Sequence, residues 1–215
     1  MKDLYIIGAG GFGREVAWLV ERINAVSSTW NIKGFIDDNL SILGSREGGY
    51  TVVGDTDFLL KQTEEIWIVC AVGNAKVRRD IVKKIEQNPV IRFATVIDPS
   101  VILSERVTVG EGSIICAGSI LTVDISIGKH VIINLDCTLG HDDIISDFVT
   151  IYPSVNVSGN VIVGTCAELG TGMQIIQGKK IGKESILGAG AVVVKDIPEK
   201  CTAVGSPARV IKGRC

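Results

Sequence analysis

The chain has 215 residues and a formal charge of −2, so it lacks the basic excess that nucleic-acid binding requires. Apolar residues make up 46% and aromatics only 5%, which predicts an aliphatic core suited to parallel strands rather than an aromatic-rich sandwich. That length holds one large domain or two small ones.

The chain opens on MKDLYIIGAGG, whose apolar run breaks at glycine. The run is too short for a signal-peptide core or a membrane span, so a cytoplasmic protein without membrane insertion is expected. Cys70, Cys116, Cys137, Cys166, Cys201 and Cys215 show no metal-ligand spacing. They are expected as free thiols, chiefly in the core, and no metal is expected.

The stretch DLYIIGAGGFGREVAWLVERI predicts a buried strand, a glycine turn and an amphipathic helix. Gly8, Gly10 and Gly13 fit G-x-G-x-x-G, a turn that lets a backbone approach a ligand phosphate at a helix N-terminus. A tight strand-to-helix turn favours glycine without any ligand, so the motif alone leaves both readings open. The next strand, NIKGFID, ends in Asp37-Asp38, where an acid commonly meets a ribose hydroxyl. A third strand, IWIVCAVG, leads through Gly73-Asn74 into the helical pattern AKVRRDIVKKIEQ. Its basic cluster KVRRD reads as a solvated helix face. This is the β-α-β logic of a Rossmann-like α/β domain over residues 1–92. The region is short for a full dinucleotide fold, and a mononucleotide or nucleotide-sugar suits it better than NAD.

From Ile97 to Val193 every sixth residue is aliphatic, and glycine follows at 110, 128, 140, 164, 170, 182 and 188. Neither a helix nor an ordinary strand has this period. It is the signature of a parallel β-helix of hexapeptide repeats over residues 93–197. Each short strand sends one aliphatic side chain to the axis, a corner turns the chain, and three hexapeptides close a coil of about eighteen residues. Residues 198–215 form a tail that leaves the helix and is placed to cover its open end.

Four segments carry a resemblance: IIGAGGFGREV, AVGNAKVRR, NLDCTLGHDDIISDF and ILGAGAVVVKDIPEKCTAVGSPARVIK. Together they resemble the bacterial sugar acetyltransferases typified by sialic acid O-acetyltransferases and UDP-4-amino-sugar N-acetyltransferases. The resemblance spans nearly the whole chain. It implies left-handed coils, a homotrimer, acetyl-CoA as co-substrate, and a nucleotide-sugar or sugar acceptor bound partly by the N-terminal domain. It implies His141 as the catalytic histidine, Asp142 as its partner acid and Asn134 as an aid to His141 or the acceptor. Acceptor positions carry over to Gly10, Gly11, Phe12, Asp37, Asp38, Gly73 and Asn74. Acetyl-CoA positions carry over to Thr150, Thr171 and Ala189. Two departures stand out: Phe12 replaces a histidine found in many UDP-amino-sugar members, and Thr150 replaces a histidine of some relatives.

The chemistry asked of His141 is general-base catalysis. A neutral imidazole takes the proton as an amine or hydroxyl attacks the thioester carbonyl, and an adjacent carboxylate fixes its tautomer. His130, the other histidine, reads as an exposed corner residue without a role. Cys137 reads as a packed small residue rather than a nucleophile, and Lys195 and Arg209 as solvated rather than phosphate-binding. The leading expectation is transfer of acetyl to a sugar amine of a UDP-4-amino-sugar. The alternatives are O-acetylation of sialic acid or another sugar hydroxyl, a non-catalytic trimeric scaffold that binds nucleotide, and a dehydrogenase prompted by the glycine motif.

Overall fold

The apolar strands and amphipathic helices of the first ninety residues build one six-stranded sheet. The computed structural model describes residues 1–213, and Cys215 lies outside the described residues. The strands are β1 (Lys2–Ile7), β2 (Trp30–Ile36), β3 (Arg46–Glu47), β4 (Tyr50–Gly54), β5 (Ile66–Cys70) and β6 (Ile91–Phe93), in the order β3-β4-β2-β1-β5-β6. All neighbours run parallel except the β3–β4 pair. Helix α1 (Gly11–Val26) packs Val16, Ala17 and Val20 on one side of the sheet. Helix α3 (Ala75–Ile85) packs Val82 and Ile85 on the other, beside the short helix α2 (Thr56–Leu60). Ile6, Ile68 and Val69 are fully buried, as expected for strands covered on both faces.

The period-six region forms a three-sided parallel β-helix of two-residue strands stacked eighteen residues apart. Ile114 pairs with Ile132, Ile132 with Thr150, and Thr150 with Glu168. The docked face runs from Val96–Ile97 through Thr150–Ile151 to Ile186–Leu187. The second face runs from Ile102–Leu103 through Thr138–Leu139 to Val192–Val193. The third runs from Thr108–Val109 through Ile144–Ile145 to Lys180–Ile181. The axial residues from Ile115 to Val193 stack into one continuous core. Each is worth roughly 1.5–3 kcal/mol relative to exposure. At the first coil the ladder lacks a neighbour, and Leu103 stays 37% exposed. At the far end Thr202–Val204 pairs parallel with Ile186–Leu187, and Arg209–Lys212 then folds back antiparallel on it, so the tail covers that sheet edge.

The N-terminal sheet sits on the docked face. Ile114 and Ile132, outward-pointing on that face, are buried with Leu4, Val16 and Ala94 in one core. Arg22 on α1 makes a two-pronged ion pair with Asp98 of the first coil, Nε–Oδ2 2.6 Å and Nη2–Oδ1 3.0 Å. The reading of KVRRD as a solvated face is corrected at Arg78, which is fully buried. Arg78 falls on the apolar stripe of α3 with Ala75, Val82 and Ile85. Its guanidinium donates to the carbonyls of His130, Val72, Gly73, Phe148 and Val149. It remains charged because these carbonyl oxygens replace water, although burial lowers its pKa to about 10. His130 is likewise not an exposed corner residue. It is buried, stacked on Phe148 at 5.0 Å and edge-on to Phe93 at 4.6 Å, and burial lowers its pKa to about 4.

Candidate active site

The glycine turn between β1 and α1 holds two kinds of glycine. Gly8 has φ +96, and a Cβ at Gly13 would lie 1.8 Å from the Gly8 carbonyl oxygen, so the fold itself requires both. Gly10 and Gly11 have nothing within 4 Å of an added Cβ. The fold leaves that space open at the N-terminus of a 16-residue helix whose N-cap, Gly10, supplies no side-chain acceptor and whose first turn holds no acid. Uncapped amides there attract an anion.

Asp37 accepts from the Ala9 and Asn39 amides at 2.9 Å each, and Asp38 accepts from the Thr56 amide at 2.8 Å. Both acids border a cleft at the C-terminal ends of β1, β2 and β5, together with Ile7, Gly8, Val72 and Val77. A second cleft lies on the far side of the β5–α3 turn, lined by Phe12, Glu15, Gly73, Asn134, Thr150 and Tyr152 among others. The turn is fixed from three sides. Thr150 Oγ1 donates to the Gly73 carbonyl at 2.7 Å, Arg78 donates to the same oxygen, and Asn74 caps α3 by accepting from the Val77 amide. Glu168 accepts from the Ala75 amide with one oxygen and from Tyr152 Oη with the other, both at 3.0 Å.

The residues expected to act together fall into two groups. Gly10, Gly11, Phe12, Gly73, Asn74, Asn134 and Thr150 gather where the sheet meets the coils, with Asp37 and Asp38 across the turn. Thr171 and Ala189 lie in the corner between the docked and second faces, one and two coils beyond Pro153, so they extend this group along the axis. His141 and Asp142 stand elsewhere, in the corner between the second and third faces, opposite the docked face. Asn134 is therefore grouped with Phe12, not with His141.

At that opposite corner, His141 Nδ1 lies 2.7 Å from Asp142 Oδ2, and both side chains are more than half exposed. Asp142 takes φ 62, the left-handed conformation that recurs at these corners in Asp124, Asp136 and Asn160. The imidazole rests on Gly159 of the next coil, where an added Cβ would lie 2.5 Å from Nε2. With Nδ1 held by the carboxylate, Nε2 is the nitrogen left to exchange a proton.

The comparisons agree with this architecture. The family described as the PglD N-terminal domain matches residues 3–85. The acetyltransferase domain of PglB from Neisseria gonorrhoeae FA1090 is 31% identical with a TM-score of 0.91, covering 98% of this chain and 100% of that one. The chain belongs to the hexapeptide-repeat sugar acetyltransferases, acetyl-CoA-dependent enzymes.

Two further members of these sugar acetyltransferases bear on the site. A histidine-to-asparagine mutant of perosamine N-acetyltransferase from Caulobacter crescentus, in complex with CoA and GDP-perosamine, is 30% identical with a TM-score of 0.87, covering 100% of this chain and 98% of that one. The UDP-N-acetylbacillosamine N-acetyltransferase of Bacillus subtilis is 37% identical over 118 residues, 54% of this chain and 52% of that one. The chain spans 26% and 25% of the length of two yeast relatives that it also matches. Among the described residues no helix is long and apolar enough to cross a membrane.

Sequence reasoning missed Arg78, Tyr152, Glu168 and Gly159. Arg78 carried a signal, its place on the apolar stripe of α3. Gly159 carried another, since it lies eighteen residues after His141 and must stack on it once the coil period is known.

Proposed function

We propose that the protein transfers acetyl from acetyl-CoA to the amine of a nucleotide-linked sugar, a UDP-4-amino-sugar, with His141 as general base. One observation carries the reading. The His141–Asp142 pair stands at an accessible corner with Nδ1 anchored and Nε2 free. As the amine attacks the thioester carbonyl, Nε2 takes its proton. The tetrahedral intermediate then expels CoA, whose sulfur receives a proton from the imidazolium.

The acceptor is read along the two clefts. Its diphosphate meets the open N-terminus of α1 at Gly10 and Gly11, and its nucleoside enters the cleft bordered by Asp37 and Asp38. Its sugar passes the Gly73–Asn74 turn toward Phe12, Asn134 and Tyr152. The pantetheine arm follows the corner through Thr171 and Ala189. Thr150 Oγ1 already donates its proton to Gly73, so it contributes through its lone pairs and by holding the turn.

The two residue groups sit on opposite sides of one coil stack, so the site requires His141 from a second copy. We read the assembly as a homotrimer packed through the second and third faces. Ile102, Ile120 and Ile144 project from those faces and are 62%, 37% and 47% exposed. Named relatives support an amine acceptor, being N-acetyltransferases of nucleotide-linked sugars. One observation favours O-acetylation: Phe12 offers the sugar no hydrogen bond where many UDP-amino-sugar enzymes have histidine.

Release of free CoA from acetyl-CoA, measured with UDP-4-amino-sugars, a GDP-linked amino sugar, free amino sugars and sialic acid, decides among these. Turnover with the UDP-4-amino-sugar is expected. Turnover with sialic acid alone would replace it with the hydroxyl reading.

A further inference from the structure

The period-six register contains one anomaly. Four residues after each axial aliphatic comes an inward corner position, and from Ser113 to Met173 all of its occupants are buried. They are serine, cysteine, alanine or larger apolar residues, except at Asp143, a fully buried carboxyl.

The polar occupants share one bonding pattern. Ser113 Oγ donates to the Gly128 carbonyl fifteen residues on and accepts from the Val131 amide eighteen residues on. Ser119 repeats this with the Asn134 carbonyl and the Cys137 amide. Cys137 Sγ donates to the Tyr152 carbonyl, again fifteen residues on. Each of these three polar occupants therefore donates to one carbonyl; at the two serines the same oxygen also accepts from the amide. At Asp143 the acceptor half is in place, since Oδ1 accepts from the Val161 amide at 2.9 Å, eighteen residues on. Oδ2 is buried without a hydrogen-bond partner. By the same register the carbonyl awaiting a donor belongs to Ser158. A carboxylic acid completes the pattern, whereas a carboxylate opposes the carbonyl with like charge.

Ser158 precedes Gly159, the residue on which the His141 imidazole rests, and the Asn160 amide donates to the His141 carbonyl at 2.7 Å. We infer that Asp143 acts as a neutral carboxylic acid whose O–H, donated to the Ser158 carbonyl, holds the Ser158–Gly159 turn as a shelf beneath the His141 imidazole. Asp143 is then a positioning residue, and its catalytic consequence rests on His141 being the base.

The surroundings favour the neutral form. Ile125 and Val161 occupy the same slot in the coils on either side. Burial pushes the Asp143 carboxyl up to about 7, and Asp142 adds to this. The Val161 and Gly140 amides and His141 pull the other way without prevailing, and the Gly140 amide is already committed to the Val157 carbonyl. Along the same corner, within two coils, the other charged residues are Asp124 one coil earlier, Glu105 and Arg106 two coils earlier, with Arg106 paired to Asp124, and Lys179 two coils further on. The acid is thus neutral below about pH 7 and ionises above it.

Three variants test this on the full-length protein. In Asp143→Asn the amide oxygen accepts from Val161 and the NH2 donates to Ser158 without titrating. In Asp143→Ser the hydroxyl copies Ser113. Asp143→Val fills the slot without a donor. The folded carboxyl titrates above its unfolded value of 3.8, so ionisation opposes folding. The melting temperature of Asp143→Asn should rise relative to wild type from about pH 4 to about pH 7 and stay offset above that. Parallel melting curves across that range would overturn the neutral acid, whether or not the protein turns over any acceptor.

The link to the base is read by NMR, which the presence of only two histidines makes simple. The His141 ring signals should follow the ionisation of Asp143 near pH 7 in wild type, an inflection that Asp143→Asn lacks. The same inflection in both would sever Asp143 from His141. With an active acceptor, Asp143→Val should lower kcat about tenfold or more at unchanged KM for acetyl-CoA, with Asp143→Asn restoring it. Equal kcat in Asp143→Val and wild type would also overturn the inference.

Discussion

Gly159 is the residue on which the position of His141 most directly depends. Its Cα faces the imidazole so closely that any side chain displaces the ring. Gly159→Ala should therefore leave the coils folded and lower kcat on the order of a hundredfold, the scale of a misplaced catalytic group. A variant with normal kcat would mean that the ring does not work from this shelf. The contact between His141 and Asp142 was legible in the sequence because the two are adjacent. The contacts of Gly159 and Asp143 were not, because they run between coils. His130 was misread for a related reason, since Phe93 and Phe148, which bury it, are 37 and 18 positions away.

At the scale of elements, the β1–α1 turn holds glycines that the fold requires, Gly8 and Gly13, beside two with open space, Gly10 and Gly11. Gly13→Ala drives a Cβ into the Gly8 carbonyl and should abolish soluble, folded protein. Gly10→Ala meets open space and should fold with an unchanged melting temperature, yet raise KM for the acceptor severalfold by crowding its phosphates. An unchanged KM would return the motif to the bland reading of a tight turn. The strand–turn–helix order was legible because periodicity and glycine placement are local. The docking of α3 was not, because a buried arginine looks like a surface one until its carbonyl partners are known. Arg78→Met should cost on the order of 3–5 kcal/mol, since the carbonyls of His130, Val72 and Phe148 lose their donor while those of Gly73 and Val149 keep Thr150 Oγ1 and the Ile132 amide. Denaturant unfolding checks this, and a loss below about 1 kcal/mol would mean that the junction rests on apolar packing alone.

At the scale of the whole molecule, the eighteen-residue coil was fully legible, because an aliphatic residue at every sixth position admits no other fold. The separation of the two residue groups was not, because it depends on which face receives the N-terminal sheet. That separation predicts complementation between copies. His141→Ala and Gly10→Asp should each be inactive alone. Coexpressed, they should form mixed trimers with about a quarter of wild-type activity, since only sites pairing an intact turn with an intact histidine work. No recovery would place turn and base in one chain.

The central claim is that His141 takes the proton of an attacking amine. It is tested by free-CoA release at pH 7 from acetyl-CoA and a saturating UDP-4-amino-sugar, comparing wild type with a folded His141→Ala. Wild type should turn over, and the variant should lose about a hundredfold or more. Near-equal rates in the two proteins would remove His141 from the chemistry.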